Sequence, residues 1–221
     1  MPRSTAYVEP STIRSLSWLI GLIGIAAAIA GPGYALNGAL QTPGTVRVPV
    51  ELSAAAEPPA GAPATGRVPI EVSGLPDGTA VSALNTGREL ELAAGHSTVV
   101  EQLLSRGDAA VFGLAVGVGA WLLRPVLGSL AAGRPFGSGN ARRLAGVAAA
   151  VVAAGSIGPL LPQLGSLTVL DRLALVGPDS PFVMGLTFSF TTSLLVGGLL
   201  LVMAEAFRQG ERISDDVEGL V

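Results

Sequence analysis

The chain has no cysteine and no lysine, and each absence excludes a kind of chemistry. Without cysteine it has no disulfides, no thiolate metal ligands and no thiol nucleophile. Without lysine it has neither a Schiff-base residue nor the lysine of a phosphate-binding P-loop. The single histidine, His96, has no clustered carboxylates beside it, so we expect a surface loop residue rather than a metal ligand.

Catalytic signatures are missing as well. The sequence contains no HExxH, GxSxG or P-loop motif, and no pair of carboxylates within an apolar segment. We therefore predict that the protein is not an enzyme and has no catalytic residues, no cofactor and no metal site.

Charge of either sign is scarce. Charged residues make up 13% of the 221 residues, which is about half the share that is typical of a soluble domain. Hydrophobic residues make up 49%, and the mean hydropathy is +0.59. The net charge of −3 is too small to indicate a polyanionic partner, so we expect no direct contact with nucleic acid.

Long apolar runs take the place of the missing charge. A hydrocarbon core of about 30 Å requires about 20 helical residues, because each residue of an α-helix rises about 1.5 Å. We predict four transmembrane helices, over residues 16–36, 109–130, 144–164 and 183–207. The expected fold is an all-α membrane protein, a four-transmembrane-helix bundle, with a small β-rich extracytoplasmic insert between helices 1 and 2.

The amino terminus allows two interpretations. Residues 1–15 are polar and contain Arg3 and Arg14, and the apolar run that follows includes an Ala-x-Ala sequence at Ala28 and Ala30. This pattern is typical of a cleaved signal peptide. The apolar run continues to Leu36, however, which favours a retained first helix. The rest of the chain has the same orientation in either case.

Residues 37–107 form the large polar segment. Two similar stretches, residues 47–53 and 67–73, alternate apolar and polar residues and flank a proline-rich linker at 57–66. Alternation with β-branched residues predicts two strands that pair with each other, and the proline in each favours an edge position. Residues 79–84 and 89–92 predict further strands. Thr98 and Glu101 fit a capping box, which predicts a short helix before the second span.

Arginine content predicts the orientation. The loop at residues 131–143 contains three arginines and no acid, whereas the loop at 165–182 has one arginine against two aspartates. Basic loops remain in the cytoplasm. We therefore predict a multi-pass protein of the plasma (inner) membrane, with both termini and the 131–143 loop cytoplasmic and the insert outside.

The spans themselves are rich in small residues. Gly113 and Gly117 in the second span favour close packing within the chain, with homo-oligomerisation as the alternative. Pro159 and Pro162 predict a kink near the outer end of the third span. Arg124 and Glu205 either anchor separately at the interface or form an ion pair. A hydroxyl cluster in the fourth span is weak evidence of a permeation path; its members are Ser189, Thr191, Thr192 and Ser193.

Two segments beside the membrane are the most distinctive. Residues 133–144 enter the third span, where Asn140 fits a helix cap, and residues 204–221 leave the fourth span. We expect the fourth helix to stop near Gly210 and a short acidic cytoplasmic tail, residues 208–221, to follow. Both segments face the cytoplasm in the predicted topology.

These segments resemble a bacterial family of four-helix membrane proteins, domain of unknown function 2975. The family pattern G-x-P-F…N-x-x-R-L matches Gly133 to Leu144, and the pattern E-x-F-R-x-G-x-x-L-x-x-D-x-E-G-x-V matches Glu205 to Val221 except for Ile213 in place of Leu. Members are often encoded beside a small helix-turn-helix regulator. This association of neighbouring genes is the only reason the resemblance implies a cytoplasmic protein partner. The resemblance implies no established activity.

We therefore expect a non-enzymatic binding or regulatory protein whose cytoplasmic face engages a partner; the alternative is a small transporter or channel component. In this hypothesis the basic loop and the acidic tail dock through opposite charges, with Phe136 and Phe207 packed beneath them. The candidate recognition residues are Arg134, Pro135, Phe136, Asn140, Arg142, Arg143, Glu205, Phe207, Arg208, Gly210, Asp215, Asp216 and Glu218.

Overall fold

The computed structural model describes residues 9–52, 67–70, 75–84, 89–177, 180–183 and 190–218. The chain is mostly helical and divides into two compact units. The helical unit comprises residues 1–31, 111–156 and 189–221, and the sheet unit comprises residues 32–110 and 157–188. The helices are α1 Pro10–Leu40, α2 Val99–Ser105, α3 Gly107–Ala131, α4 Asn140–Ile157, α5 Leu160–Arg172 and α6 Thr191–Glu218. The strands are β1 Val46–Leu52, β2 Arg67–Ile70, β3 Thr79–Leu84, β4 Glu89–Ala94 and β5 Phe182–Val183.

Among the described residues, four helical stretches are long and apolar enough to cross a membrane. They are Ser11–Leu40, Gly107–Ala131, Asn140–Arg172 and Thr191–Ser214. Large apolar side chains on them point outward, including Ile29, Trp121 and Val202, which are 69%, 74% and 69% exposed. Surfaces of this kind are stable in contact with lipid and unfavourable in water. The predicted number of candidate spans is therefore confirmed by the length and composition of these helices.

The small residues of α3 face α1. A Cβ atom on Gly113 would collide with the backbone of Ala27 and Gly31, and one on Gly117 would lie 2.7 Å from the Cβ of Ala28. Only a hydrogen in place of a side chain permits this approach of the two helices. The structure thus uses Gly113 and Gly117 for packing within the chain, as the sequence predicted.

The third span is interrupted where the prolines predicted a kink. α4 ends at Ile157 and α5 begins at Leu160, with Pro159 at the position that precedes α5. Pro162 lies in the first turn of α5, where a backbone N–H has no partner within the helix. The predicted loop at 165–182 is corrected, because α5 continues to Arg172.

The sheet has the order β2-β3-β4-β1-β5, and every pair is antiparallel. The two similar stretches do not pair with each other, so this prediction was wrong: β3 and β4 lie between β1 and β2. Strands that are adjacent in sequence form the neighbouring pairs β2–β3 and β3–β4, and β1 adds on the far side of β4. Val183, predicted to begin the fourth span, lies in β5, and the helix begins at Thr191.

The prolines of the two stretches lie at different places in the sheet order. Pro69 lies in β2, the first strand of the sheet order. Pro49 lies in β1, where the described part of β5 pairs only with Glu51 and Leu52. The predicted edge position is therefore confirmed for Pro69 and wrong for Pro49, because β1 lies between β4 and β5.

The core of the sheet unit lies on one face of the sheet. The alternate residues Val46, Val48 and Val50 of β1 are buried there, as are Leu90 and Leu92 of β4. Two α5 residues, Val169 and Leu170, cover them. Because these two residues cover a sheet, the last part of the candidate span Asn140–Arg172 belongs to the sheet unit.

A capping box begins α2, as predicted. The Thr98 hydroxyl accepts a hydrogen bond from the Glu101 amide at 3.3 Å, and the Glu101 carboxylate accepts one from the Thr98 amide at 2.8 Å. Glu101 is 2% exposed and also accepts a hydrogen bond from Arg172 Nε at 2.7 Å, which ties α5 to α2. His96 lies exposed in the bend before this helix, so the predicted surface loop is confirmed.

Candidate recognition face

The connection between α3 and α4 makes a tight turn at one end of the helical unit. Gly133 and Gly139 have φ values of +71° and +86°, a region in which a Cβ atom causes strain. The Arg134 amide donates to the Ser129 carbonyl at 2.9 Å, which closes the first half of the turn. These two glycines therefore fix where the chain leaves α3 and where it enters α4.

Asn140 holds this connection from inside. Its side chain is fully buried, at 0% exposure. The amide nitrogen donates to Ser129 Oγ at 2.6 Å and to the Pro135 carbonyl at 3.0 Å, and the amide oxygen accepts from Arg143 Nη1 at 3.1 Å. The prediction that Asn140 caps the helix was wrong, because its side chain bonds across the connection instead.

Phe136 attaches the connection to α6. Its ring centroid lies 5.7 Å from that of Phe207, and the ring planes are inclined by 60°. This geometry is favourable for two aromatic quadrupoles. The Phe136 ring also lies against Gly210, where any Cβ atom would overlap it. The predicted packing of Phe136 on Phe207 is therefore confirmed.

The prediction that the fourth helix stops near Gly210 was wrong, because α6 continues to Glu218. The helix hydrogen bonds tolerate a glycine at a cost of about 1 kcal/mol relative to alanine. Here the absence of a side chain on Gly210 makes room for the Phe136 ring. The packing of that ring against α6 compensates the cost. The acidic tail is thus an extension of the helix up to Glu218; Asp215 and Glu218 lie in it, and their side chains are outside the described part.

Glu211 links this extension to α4. One carboxylate oxygen of Glu211 accepts a hydrogen bond from the Ala141 amide at 3.1 Å. Ala141 lies in the first turn of α4, where backbone amides have no partner within the helix and the helix dipole favours a negative charge. The role predicted for Asn140 is therefore performed by a carboxylate from α6.

Charge pairing between loop and tail was predicted, and the structure corrects it. Over the described residues, none of Arg134, Arg142 and Arg143 forms an ion pair with Glu211 or Asp216. The aromatic contact and the capping of α4 by Glu211 join the two segments instead. The physical reason is that a carboxylate gains more from amides at a helix terminus than from a solvated guanidinium.

Glu205 also has a partner that the sequence did not indicate. Its carboxylate accepts hydrogen bonds from Arg208 at 2.8 and 2.7 Å and from Gln209 at 3.2 Å, all on α6. The alternative of an Arg124–Glu205 ion pair is therefore not observed. Arg124 instead lies beside Gly21 of α1.

A groove of about 330 Å³ lies between the beginning of α4 and the end of α6. Two arginines, Arg142 and Arg208, and two glutamates, Glu205 and Glu211, form its charged walls. The remaining lining residues are Gly139, Ala141, Ala145, Leu201 and Ala204. We call this feature the α4–α6 groove.

The structure sorts the predicted residues by their relation to this groove. Three of them line it: Arg142, Glu205 and Arg208. Five others do not line it but make contacts within the α3–α4 connection or between that connection and α6: Pro135, Phe136, Asn140, Phe207 and Gly210. Arg143 is held by Asn140, while Arg134 and Asp216 are exposed away from it. The sequence missed Ser129, because a serine near a helix end carries no distinguishing signal.

Comparisons with protein-family models, with characterised proteins and with solved structures find no match to this chain. The resemblance to domain of unknown function 2975 therefore stays a prediction. Among the described residues, no group of three or more His, Asp or Glu side chains could hold a metal ion. What the groove offers chemically is recognition: charged rims of both signs over an apolar floor.

Proposed function

We propose that this protein is a non-enzymatic membrane protein whose cytoplasmic face binds a protein partner. The carrying observation is the α4–α6 groove, in which residues from two distant parts of the chain converge on one surface. Both termini and the α3–α4 connection lie in the cytoplasm in this proposal, because the connection and the first turn of α4 carry Arg134, Arg142 and Arg143 without an acid. A small helix-turn-helix regulator is the partner that the family resemblance suggests.

The groove has the composition of a binding site for a short helix or loop. Its floor is apolar, with Leu201, Ala204 and Ala145, and its rim is charged. Protein interfaces gain most of their affinity from the desolvated centre, whereas charges at the rim set orientation and rate of association. Glu205 and Arg208 already form an ion pair with each other. Charged groups of a partner would therefore replace this existing pairing instead of neutralising an unpaired charge.

The test uses the purified chain in mild detergent and a small helix-turn-helix regulator of the kind that the family resemblance suggests. We expect Arg142→Glu to weaken the complex by about tenfold, corresponding to about 1.4 kcal/mol. The matched control is Arg212→Glu, because Arg212 is exposed on the same helix as Arg208 but does not line the groove. Equal losses in the two variants, or no complex with the wild-type chain, would contradict the proposal.

Transport is the second candidate, and the lining of the helical unit gives it less support. A cavity of about 390 Å³ there is lined by apolar residues and glycines, with Ser193 as its single hydroxyl. Thr191 and Thr192 are exposed, and Ser189 lies outside the described residues. A path for ions or polar solutes requires polar groups that replace the hydration shell. We therefore expect no solute flux in liposomes.

A further inference from the structure

A second cavity, unrelated to the groove, lies in the sheet unit. Its volume is about 400 Å³. Its walls come from the end of α1, the beginning of β1, the middle of β4 and the end of α2. The lining residues are Tyr34, Thr45, Arg47, Glu91, Ser105 and Arg106. Every one of these side chains carries a polar group, which is the opposite of the apolar cavity in the helical unit.

Arg106 is held in place before any ligand binds. Its guanidinium carbon lies 5.0 Å from the centroid of the Tyr34 ring, a cation–π contact. Its side chain also lies flat on Gly38, where a Cβ atom would come within 2.5 Å of Nη1. A pre-positioned guanidinium loses little conformational entropy when it binds an anion.

The part of the cavity wall around Thr45 is also held by hydrogen bonds. The Thr45 carbonyl accepts a hydrogen bond from Gln102 Nε2 at 3.1 Å, and the same amide donates to Ser97 Oγ at 2.9 Å. Gln102 is 1% exposed. This buried amide fixes the start of β1, from which Arg47 projects on the face opposite the core.

The two cavity arginines differ from Arg172 in their ion pairing. In the described ranges, Arg47 and Arg106 form no ion pair with a carboxylate. By contrast, Arg172 of the same unit is paired with the buried Glu101 at 2.7 Å. The fold therefore supplies a carboxylate to one arginine and leaves two others facing a polar cavity.

The cavity lies close to the ends of two candidate spans. Arg106 immediately precedes the span Gly107–Ala131, and Tyr34 lies in the last two turns of the helix that forms the span Ser11–Leu40. Because that helix is about ten residues longer than the hydrocarbon core requires, its end reaches the headgroup region. Tyrosine and arginine are typical of this boundary.

We propose that this cavity binds a phosphodiester, and specifically the headgroup of an anionic phospholipid. Arg47 and Arg106 would bind the phosphate oxygens, because guanidinium donors match phosphate geometry. The position of the cavity beside the ends of two candidate spans favours a diester, because membrane phospholipids are phosphodiesters. Thr45 and Ser105 supply hydroxyls to the rest of the headgroup. A soluble phosphodiester has the same chemistry and is the other source that the experiment distinguishes.

The experiment measures thermal unfolding of the full chain in mild detergent during three titrations. The additives are dioleoyl phosphatidylglycerol, dioleoyl phosphatidylcholine and soluble glycerophosphoglycerol. We expect the anionic lipid to raise the unfolding temperature saturably, and phosphatidylcholine to have no such effect. Arg47→Gln and Arg106→Gln should each weaken the apparent affinity about tenfold or more, because a charged hydrogen bond is lost.

Two further variants make the test specific. Gly38→Ala keeps both arginines and displaces the Arg106 guanidinium from Tyr34, so it should weaken binding in the same direction. Arg212→Gln removes the same charge from exposed surface on α6 and should change nothing. If Arg106→Gln does not fold, Arg47→Gln and Gly38→Ala still decide the matter, since Arg47 is exposed on its strand.

The outcomes separate the sources. Stabilisation by the lipid alone supports a membrane headgroup, and stabilisation by glycerophosphoglycerol alone supports a soluble phosphodiester. Equal effects of both lipids, no effect of any phosphodiester, or full affinity in Arg47→Gln and Gly38→Ala would overturn the proposal. So would a loss in Arg212→Gln equal to that in Arg47→Gln.

Discussion

Glu211 near the end of α6 accepts a hydrogen bond from the backbone amide of Ala141 in the first turn of α4, at 3.1 Å and across 70 positions of sequence. This bond closes one end of the α4–α6 groove. It also orients the carboxylate along the helix dipole of α4. Loss of the bond should therefore affect both the end of α6 and the beginning of α4.

Glu211→Ala should destabilise the protein by about 1 kcal/mol, the usual effect of removing a helix cap. Limited proteolysis should then cleave the last turns of α6 faster than in the wild type. The stability of Glu211→Gln should lie between that of the wild type and that of Glu211→Ala, because the glutamine amide oxygen still accepts the hydrogen bond but carries no charge. Arg212→Ala on the same helix serves as the control. Equal cleavage of Glu211→Ala and the control would show that the bond holds nothing in place.

Asn140→Ala should be more damaging than Glu211→Ala. It removes three hydrogen bonds and leaves the Ser129 hydroxyl and the Pro135 carbonyl without this donor. An unsatisfied buried polar group costs about 1–3 kcal/mol. Unfolding in a mixed-detergent titration measures the loss, and Ser138→Ala, an exposed position in the same connection, is the matched control. A variant as stable as Ser138→Ala would disprove the role of Asn140.

Phe136 and Phe207 should be energetically coupled. A double-mutant cycle with both residues changed to alanine should give a coupling energy of about 0.5–1.5 kcal/mol, the range for aromatic pairs. The same cycle with Phe190, an exposed aromatic at the other end of α6, should give a coupling energy near zero with Phe136. Additive effects of Phe136 and Phe207 would mean that their contact does not stabilise the connection.

The glycines of α3 should differ sharply in their tolerance of a methyl group. Gly113→Ala places a Cβ atom against the backbone of α1, whereas a Cβ atom on Gly119 meets no other atom within 4 Å. Overpacking costs about 1–3 kcal/mol, while alanine is the better helix former at an open position. We expect Gly113→Ala to unfold at lower detergent concentration than Gly119→Ala, and the reverse order would contradict the α1–α3 packing.

Features that depend on local pattern were predictable from the sequence. The length and hydropathy of the apolar runs gave the candidate spans, and the Thr98–Glu101 spacing gave the capping box. Pro159 gave the break between α4 and α5 because proline lacks a backbone N–H. The contact of Phe136 with Phe207 followed from placing both residues beside the same membrane surface.

Features that depend on distant partners were not predictable. β1 was expected to pair with β2 but pairs with β4 and β5. Strand pairing depends on connection lengths and on what covers the sheet, not on the similarity of two strands. Glu211 instead of Asn140 accepts a hydrogen bond from a first-turn amide of α4, since the acceptor at a helix terminus is whichever group the fold brings there. Gly210 was predicted to end the fourth helix, whereas its small size makes room for the Phe136 ring.

The measurement that tests the recognition face most directly is cysteine accessibility, since the chain has no cysteine of its own. Arg142→Cys places a single thiol in the α4–α6 groove, and His96→Cys places one in the exposed bend of the sheet unit. An impermeant maleimide should label Arg142→Cys only in inverted vesicles and His96→Cys only in right-side-out vesicles. Saturating regulator should slow the labelling of Arg142→Cys at least about tenfold and leave an Arg212→Cys control unchanged. Labelling of Arg142→Cys from outside, or a rate that the regulator does not change, would contradict a cytoplasmic partner-binding face.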